Sequence, residues 1–85
     1  MATILLPNLL AAEASGEKRF VGHGETVGDA LRALPVANLL FDDHGELRSL
    51  VNVYVDGIDM RERDGLGTPL AGVETVRVVA AIAGG

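Results

Sequence analysis

Residues 74–85 have the sequence ETVRVVAAIAGG, in which an apolar segment runs directly into two glycines. Apolar side chains recur at every second position, which is the period of a β-strand with one buried face. The positions assigned to the buried face are Val76, Val78, Ala80 and Ile82. The pattern predicts a long strand over residues 74–82, whose end passes into a flexible tail over about residues 81–85.

A second alternating segment lies upstream at residues 51–55, VNVYV, with valine at every odd position. Asp56-Gly57 follows it, a dipeptide typical of two-residue hairpin turns. We therefore predict a strand over residues 51–55 and a short returning strand over residues 58–61. In the loop that follows, the apolar side chains of Leu66 and Leu70 are expected to close the base of the core.

The first half of the chain predicts a hairpin. Residues 2–6, ATILL, are rich in apolar and β-branched side chains, and residues 18–22, KRFVG, are interpreted as a second strand that returns beside the first. The stretch NLLAAEASGEK between them mixes a short apolar run with Gly16 and charged residues. We interpret this stretch as a wide turn.

Residues 26–35 have the apolar spacing of an amphipathic helix. Thr26 is a suitable N-cap, Asp29 stands where the acid of a capping box reaches back, and Pro35 ends the helix. Gly28 costs the helix about 1 kcal/mol relative to alanine, and we attribute it to a close approach of helix and sheet. The positions of the buried face are Val27, Ala30, Leu31 and Leu34.

Residues 36–50 give weaker signals. Leu39, Leu40 and Phe41 are expected to lie under the core, and residues 42–46 are expected to form a polar turn. The predicted order is therefore strand, strand, helix, strand, short strand, strand. This order indicates an α+β domain with one main helix on one face of a mixed sheet of four to five strands, and it predicts a single domain over residues 1–85.

Composition restricts the classes of function. The chain has 85 residues, 48% of them hydrophobic, a net charge of −5 and no cysteine. The negative charge disfavours binding to nucleic acid, and the lack of cysteine excludes disulfides and thiolate metal sites. No apolar run is long enough to cross a bilayer, and the first residues lack the basic start of a secretory signal. We expect a cytoplasmic protein without membrane contact.

Two motifs attract attention and are set aside. Glycines at positions 22, 24 and 28 precede the helix, but their spacing matches no phosphate-binding loop. The acidic stretch at residues 42–46, DDHGE, lacks the ligand spacing of a calcium or zinc site and is interpreted as a solvated turn. His23 and His44 have no nucleophile at a suggestive spacing. The sequence therefore predicts no cofactor-binding or metal site.

Strand alternation also predicts a docking face. If the valines of the two long strands face the helix, Tyr54 and Val79 must point to the uncovered face of the sheet. Leu5 joins them if its neighbours on the first strand face inward. An exposed apolar patch of this kind, close to the C-terminus, is a candidate surface for a protein partner.

The tail itself is the strongest candidate for chemistry. Glycine has no Cβ, so Gly84 and Gly85 can pass through a channel too narrow for other residues. An extended tail of Ala81, Ile82, Ala83 and the two glycines reaches about 16–18 Å. The terminal carboxylate is ionised at neutral pH and is a poor electrophile, so it must be activated before anything is attached to it. Adenylation by ATP and attack by sulfide or a persulfide would give a thiocarboxylate at Gly85.

Residues 51–85 resemble the ThiS/MoaD family of ubiquitin-like sulfur-carrier proteins. Within that family they are most similar to the carrier of thiocarboxylate-dependent cysteine biosynthesis. The resemblance rests on a V-N-V-Y-V stretch, a D-x-R after the hairpin, a G-L-x-T turn and the Gly-Gly end. These correspond to residues 51–55, Asp59 with Arg61, residues 65–68, and residues 82–85.

The resemblance implies the β-grasp fold of ubiquitin, with the first and last strands as central neighbours. It also implies partners: a ubiquitin-activating-type adenylyltransferase or sulfurtransferase that uses ATP and magnesium, and a sulfur-accepting synthase that uses pyridoxal phosphate. In the cysteine route a metalloprotease then frees the product. The chain itself would be a carrier acted on by enzymes, without a cofactor of its own.

The sequence departs from the family pattern at two places, and two alternative functions stay open. Ala80-Ala81 stands where molybdopterin-type carriers often have Pro-Pro, which counts against a molybdopterin synthase small subunit. The segment at residues 40–50 is shorter than we would expect in the cysteine carrier, which leaves room for a carrier that serves a specialised pathway. A ubiquitin-like modifier that forms isopeptide bonds through Gly85 remains an alternative, as does an interaction domain with an idle tail.

Overall fold

The fold is built on a five-stranded sheet, seen in a computed structural model that describes residues 2–80. The strand order across the sheet is β2-β1-β5-β3-β4. The bounds of the strands are β1 Thr3–Leu5, β2 Arg19–Val21, β3 Val51–Val55, β4 Ile58–Asp59 and β5 Thr75–Ala80. The predicted mixed sheet and α+β class are confirmed.

The first and last strands are neighbours in the middle of the sheet. β1 and β5 are parallel, with Ile4 opposite Val76, and every other pair of strands is antiparallel. The side chains of Ile4 and Val76 are both fully buried. This central pairing confirms the β-grasp arrangement, which the order of elements alone does not dictate.

Helix α2, Val27–Arg32, begins as predicted. The Thr26 hydroxyl accepts a hydrogen bond from the Asp29 N–H at 3.1 Å, and the Asp29 carboxylate accepts one from the Thr26 N–H at 3.3 Å. The helix ends three residues before Pro35, because the residue ahead of a proline is held out of the helical conformation. The four apolar positions predicted to face the core are all buried.

A short helix, α1 at Asn8–Glu13, replaces the predicted wide turn between the first two strands, so that prediction is wrong. Its Leu10 and Ala11 belong to the core. The helix stops where Gly16 adopts a φ of +86° and donates its N–H to the Ala11 carbonyl at 2.8 Å. Ser15, with a φ of +57°, is the left-handed residue that follows the C-cap Ala14, and the Gly16 N–H closes the helix stop behind it, so this segment is not an open turn.

The segment after α2 is also partly corrected. Helix α3, Ala37–Leu40, places Leu40 and Phe41 in the core as predicted. Leu39 points away from it and is 37% exposed, because neighbouring residues of a helix cannot share one face. Residues 58–61 form only the two-residue strand β4, which passes into a 3₁₀ turn at Met60–Glu62.

Gly28 approaches a loop and not the sheet. A Cβ at this position would stand 3.0 Å from the Leu66 carbonyl oxygen, in the 3₁₀ turn Gly65–Gly67. Leu70 closes the core from the same loop, while Leu66 packs against it only in part. Within residues 2–80, no helix is both long and apolar enough to cross a membrane.

Candidate functional site

The root of the tail is the central strand β5, and its beginning is fixed by the β3–β4 hairpin. The Asp56 carboxylate accepts hydrogen bonds from the N–H groups of Glu74 at 3.1 Å and Thr75 at 2.9 Å. The Asp56 N–H donates to the Thr75 carbonyl at 2.9 Å. Asp56 and Gly57 both have positive φ, at +49° and +85°, as a type I′ turn requires. The predicted hairpin turn therefore also anchors the strand that leads to the tail.

The other end of β5 is held by β3, where Ala80 lies opposite Val51. The predicted site residues beyond it lie outside the described residues: Ala81, Ile82, Ala83, Gly84 and Gly85. Their roles as tail and as reactive carboxyl group remain predictions. Ala80 marks the place on the body from which they start.

The three residues predicted for docking lie on one face of the sheet. Leu5 on β1 and Tyr54 on β3 stand on either side of Arg77, each directly opposite it in register. Val79 is two residues further along β5 and opposite Asn52. Leu5 and Tyr54 are half-buried, and Val79 is 37% exposed. We call Leu5, Tyr54, Arg77 and Val79 the outer-face patch.

Arg77 is the member of the outer-face patch that was not predicted as a site residue. It is exposed and lies between the apolar members of the patch. Arginine combines a charged head with an apolar stem and is enriched at protein interfaces. Strand alternation could have found it, since Arg77 and Val79 are two residues apart on one strand and therefore fall on the same face.

An ion pair stands beside the outer-face patch. Arg61 donates to both carboxylate oxygens of Asp59, from Nε at 3.1 Å and from Nη2 at 2.8 Å, and its Nη2 also donates to the Asn52 side-chain oxygen at 2.8 Å. The hydrogen bond from the Arg61 side chain lowers the pKa of Asp59, and the same bond raises the pKa of Arg61. The D-x-R motif thus fastens the end of β4 to Asn52 on β3.

The G-L-x-T motif has a structural role at the base of α2. The buried Thr68 hydroxyl donates to the Gly65 carbonyl at 2.7 Å and accepts from the Asp64 N–H at 3.2 Å. The Thr68 carbonyl accepts the N–H of Val27, the first residue of α2, at 2.9 Å. The turn therefore satisfies a donor that a helix start leaves unpaired.

The acidic stretch at residues 42–46 forms a turn around the Asp42 side chain. The Asp42 carboxylate accepts the N–H of His44 at 2.8 Å and of Glu46 at 3.0 Å, which closes the polar turn. Within residues 2–80, no three acidic, histidine or cysteine side chains are grouped closely enough to hold a metal ion.

An apolar groove beside Ala80 was not predicted. Leu9 from α1, Leu39 from α3 and Leu50 from the segment before β3 line it. The other lining residues are Leu10, Val51, Ala80 and the polar Arg48 and Ser49. We call this the exit groove, because β5 ends in it. Its exposed leucines carried no distinct signal, since an apolar residue is predicted to be buried unless its face is known.

The comparisons with known proteins agree on one family. The family model described as the ThiS family matches residues 4–85. The chain is 31% identical to the sulfur carrier protein CysO of Mycobacterium tuberculosis, over 98% of this chain and 97% of that protein. The crystal structure of M. tuberculosis CysO superposes with a TM-score of 0.83 at 28% identity, over 96% of this chain and 100% of that one.

Two further structures extend the likeness. The Amycolatopsis orientalis BexX/CysO complex contains a chain that superposes with a TM-score of 0.80 at 28% identity, with 100% of both chains covered. SAMP1 from Haloferax volcanii, a small archaeal modifier protein, gives a TM-score of 0.74 at 32% identity, over 99% of this chain and 98% of that one.

Proposed function

The chain belongs to the ThiS family, and on this premise we propose that it carries sulfur as a thiocarboxylate on the Gly85 carboxyl group. The observation that supports this most directly is its likeness to the sulfur carrier protein CysO over nearly the full length of both chains. The family match runs to Gly85 itself, so the two terminal glycines lie inside the matched region.

The proposed chemistry takes place on the tail. The Gly85 carboxylate attacks the α-phosphate of ATP, which forms an acyl adenylate and releases pyrophosphate. Hydrosulfide then attacks the carbonyl carbon and AMP leaves with the bonding electrons, so that a C–S bond replaces the C–O bond. Apart from the Gly85 carboxylate, which is the nucleophile of the first step, no group of the chain needs to act as acid, base or nucleophile, because the activating enzyme and its ATP and magnesium supply the catalysis. This proposal expects a cytoplasmic protein, where that ATP is available.

Anchoring supports the proposed role of the body. β5 is paired to β3 up to Ala80 and tied at its start by the Asp56 carboxylate, so the position from which the tail starts is defined. A short tail on a fixed root enters a partner's channel with little further loss of freedom. The body then acts as the handle and Gly85 as the reactive end.

We further propose that the outer-face patch docks the activating enzyme and the acceptor. Its apolar members lie around Arg77, and the patch is on the same strand that leads to the tail. A complex between CysO and another protein, BexX, supports a carrier that works by binding a protein partner. The acceptor that the cysteine route would need is a synthase that uses pyridoxal phosphate, and a metalloprotease would release the product of that synthase.

Mass spectrometry of the intact protein from its native cells tests the proposal. A sulfur-for-oxygen mass gain on Gly85 is the expected result, and it should be absent from a variant that lacks residues 84–85. If the full chain and the truncated chain support the same pathway output, the carrier function is wrong and the tail is idle.

A protein modifier is the second candidate function, and the likeness to SAMP1 favours it. A modifier uses the same adenylate, but a lysine Nζ of a target protein attacks it and an isopeptide bond forms. Digestion of cell extracts would then yield target peptides with the Gly85 carbonyl attached to lysine. Such adducts without any thiocarboxylate would replace the carrier proposal with this one.

A further inference from the structure

Arg19, on the edge strand β2, lies beside the outer-face patch. It is exposed and stands directly opposite Leu5 on β1, so the two side chains share one face of the sheet. Leu5 is in turn opposite Arg77 on β5, and Arg77 is opposite Tyr54 on β3. Arginines therefore alternate with uncharged side chains along a row that crosses four strands: Arg19, Leu5, Arg77 and Tyr54.

The two arginines of this row have no acidic partner in the part of the chain that the structure describes. The one ion pair among residues 2–80 joins Arg61 to Asp59, and it neutralises the acidic side chain that lies opposite Tyr54 on β4. Arg19 and Arg77 therefore give the outer face of the sheet two uncompensated positive charges.

The acidic residues that share a shallow pocket with Arg77 do not form an ion pair with it. They are Asp56 in the β3–β4 turn and Glu74 directly before β5. The Asp56 carboxylate instead accepts the backbone N–H groups of residues 74 and 75. Arg77 is therefore available to a carboxylate from another molecule.

The charge of this face is opposite in sign to the charge of the whole chain. The chain has 12 acidic and 7 basic residues and a net charge of −5. Complementary charge steers the encounter of two proteins and suppresses binding in the wrong orientation. The outer face therefore attracts an acidic partner surface, while the rest of the molecule repels one.

We propose that Arg19 extends the docking surface onto β2, and that the outer face binds a protein surface on which two carboxylates flank an apolar contact. β2 and β5 are two strand spacings apart, so the Cα atoms of Arg19 and Arg77 are separated by about 10 Å. Each guanidinium can bind a carboxylate through two parallel N–H donors, and Leu5 between them supplies the apolar contact. The inference rests on the proposed function, because it describes the surface that the activating enzyme presents to this protein.

Two other occupants of the outer face are less favoured. Nucleic acid would also bind arginines, but the net negative charge of the chain opposes its approach. A second copy could place its acidic surface on the arginines, but such a contact joins two different surfaces and does not close into a dimer. An acidic protein partner satisfies both the charges and the apolar side chains of the row.

ATP–pyrophosphate exchange with the activating enzyme tests the proposal through the KM for the full chain. Arg19→Glu should raise the KM about tenfold at an ionic strength of about 0.01 M, and Arg77→Glu should act alike. The effect should shrink at least twofold at about 0.15 M, because the Debye length falls from about 30 Å to about 8 Å. The maximal rate should change little, since Gly85 is untouched.

Matched variants separate a docking contact from net charge and from folding. Arg19→Lys keeps the charge and should leave the KM within about twofold of the parent. Arg63→Glu changes the net charge as much as Arg19→Glu does, but Arg63 follows the 3₁₀ turn Met60–Glu62, outside the sheet. It should therefore leave the KM nearly unchanged. Melting curves verify that each variant is folded at the assay temperature.

Several results would overturn the proposal. An equal rise in KM for Arg19→Glu and Arg63→Glu would assign the effect to net charge. Binding of a labelled single-stranded oligonucleotide that Arg19→Glu abolishes would assign the face to nucleic acid. Salt-sensitive self-association of the parent that Arg19→Glu abolishes would assign it to a second copy.

The same experiment distinguishes this inference from the carrier function. If Arg19→Glu and the parent have the same KM and both gain sulfur on Gly85, the docking surface is wrong and the carrier function stands. If the parent is neither adenylated nor loaded with sulfur, both are wrong.

Discussion

At the scale of single residues, Gly28 determines how closely α2 meets the loop below it. A Cβ on Gly28 would stand 3.0 Å from the Leu66 carbonyl oxygen and 3.1 Å from the Leu66 Cβ. The loop cannot easily move away, because the Thr68 carbonyl accepts a hydrogen bond from the Val27 N–H. Glycine therefore permits a contact that any other residue would force apart.

We predict that Gly28→Ala lowers the free energy of unfolding by about 1 kcal/mol, since overpacking costs about 1–3 kcal/mol and outweighs the gain of about 1 kcal/mol in helix propensity. Gly67→Ala is the matched control, because a Cβ there meets no atom within 4 Å. Urea unfolding measures both. A Gly28→Ala protein that is as stable as the parent would show that the loop yields.

The sequence predicted the cap of helix α2 correctly but not the reason for Gly28. The capping box of Thr26 and Asp29 follows from their spacing, and the structure confirms it. The reason for Gly28 was assigned to the sheet and is wrong, because the contact is with Leu66, far away along the chain. Local spacing encodes local hydrogen bonds but does not encode which distant loop will touch a helix.

At the scale of elements, the β3–β4 hairpin holds the start of β5 through the Asp56 carboxylate. We predict that Asp56→Ala destabilises the protein by about 1–2 kcal/mol, because two backbone N–H groups lose a charged acceptor and a non-glycine residue keeps a positive φ without compensation. Asp56→Asn should cost less than half as much, since it retains an acceptor oxygen and tolerates that conformation. Thermal unfolding of the pair checks the order, and an equal loss in both would contradict it.

The ion pair of Asp59 and Arg61 makes the stability of β4 depend on pH. The hydrogen bond from Arg61 lowers the pKa of Asp59 in the folded protein, while the unfolded chain has the ordinary value of about 3.9. The contribution of Asp59 is therefore fully present above that ordinary value and is lost as the pH falls through the lower, folded pKa.

We predict that Asp59→Asn lowers the Tm at pH 7 and that the difference from the parent narrows as the pH is brought below the ordinary aspartate pKa. Asp64→Asn is the control, because the Asp64 side chain makes no capping hydrogen bond to its 3₁₀ turn. Melting curves at several pH values give the result. A difference that stays constant down to acid pH would show that the charge of Asp59 does not carry the effect.

Two elements escaped prediction from the sequence for physical reasons. Helix α1 was interpreted as a turn because Gly16 was taken for a loop residue, whereas Ser15 and Gly16, both with positive φ, form the stop that ends the helix. Leu39 was expected in the core because it is apolar, but α3 is one turn long and its buried face belongs to Leu40. In both cases the pattern was too short for its period to be recognised.

At the scale of the whole molecule, β5 carries Arg77 and Val79 of the outer-face patch and leads to the tail. We predict that Val79→Glu raises the KM of the activating enzyme for this protein about tenfold or more, as expected for the loss of an interface contact worth at least 1.4 kcal/mol. The maximal rate should change little, because Gly85 is untouched. Ile58→Glu is the matched control, since Ile58 is similarly exposed but lies on β4 outside the patch. An equal rise in KM for both variants would show that docking occurs elsewhere.

A substitution in the tail should affect activation of the protein but not the stability of its body. We predict that Gly84→Val blocks adenylation of Gly85 while the Tm stays within about 4 °C of the parent, because a change away from the packed core alters stability by about 0.5 kcal/mol or less. ATP–pyrophosphate exchange with the activating enzyme and a melting curve measure the two effects. A large fall in Tm would mean that the tail is part of the folded core.

The order of the five strands and helix α2 could be predicted from local patterns, and so could the division of β3 and β5 into inner and outer faces. The pairing of β1 with β5 could not, because it joins the two ends of the chain and depends on every element between them. It was borrowed from the resemblance to a family. The exit groove was missed for the same reason, since three separate segments form it.

The parallel pairing of β1 with β5 has a consequence for how the molecule is made. Residues 3–5 leave the ribosome early, but they cannot complete the sheet until residues 75–80 have been synthesised. Contacts so distant in sequence form late in folding. A chain that is broken off before β5 therefore lacks the central strand of its core and is exposed to cellular proteases. Folding of the sheet therefore requires that the chain has been synthesised through β5, which selects against molecules that stop before residue 80.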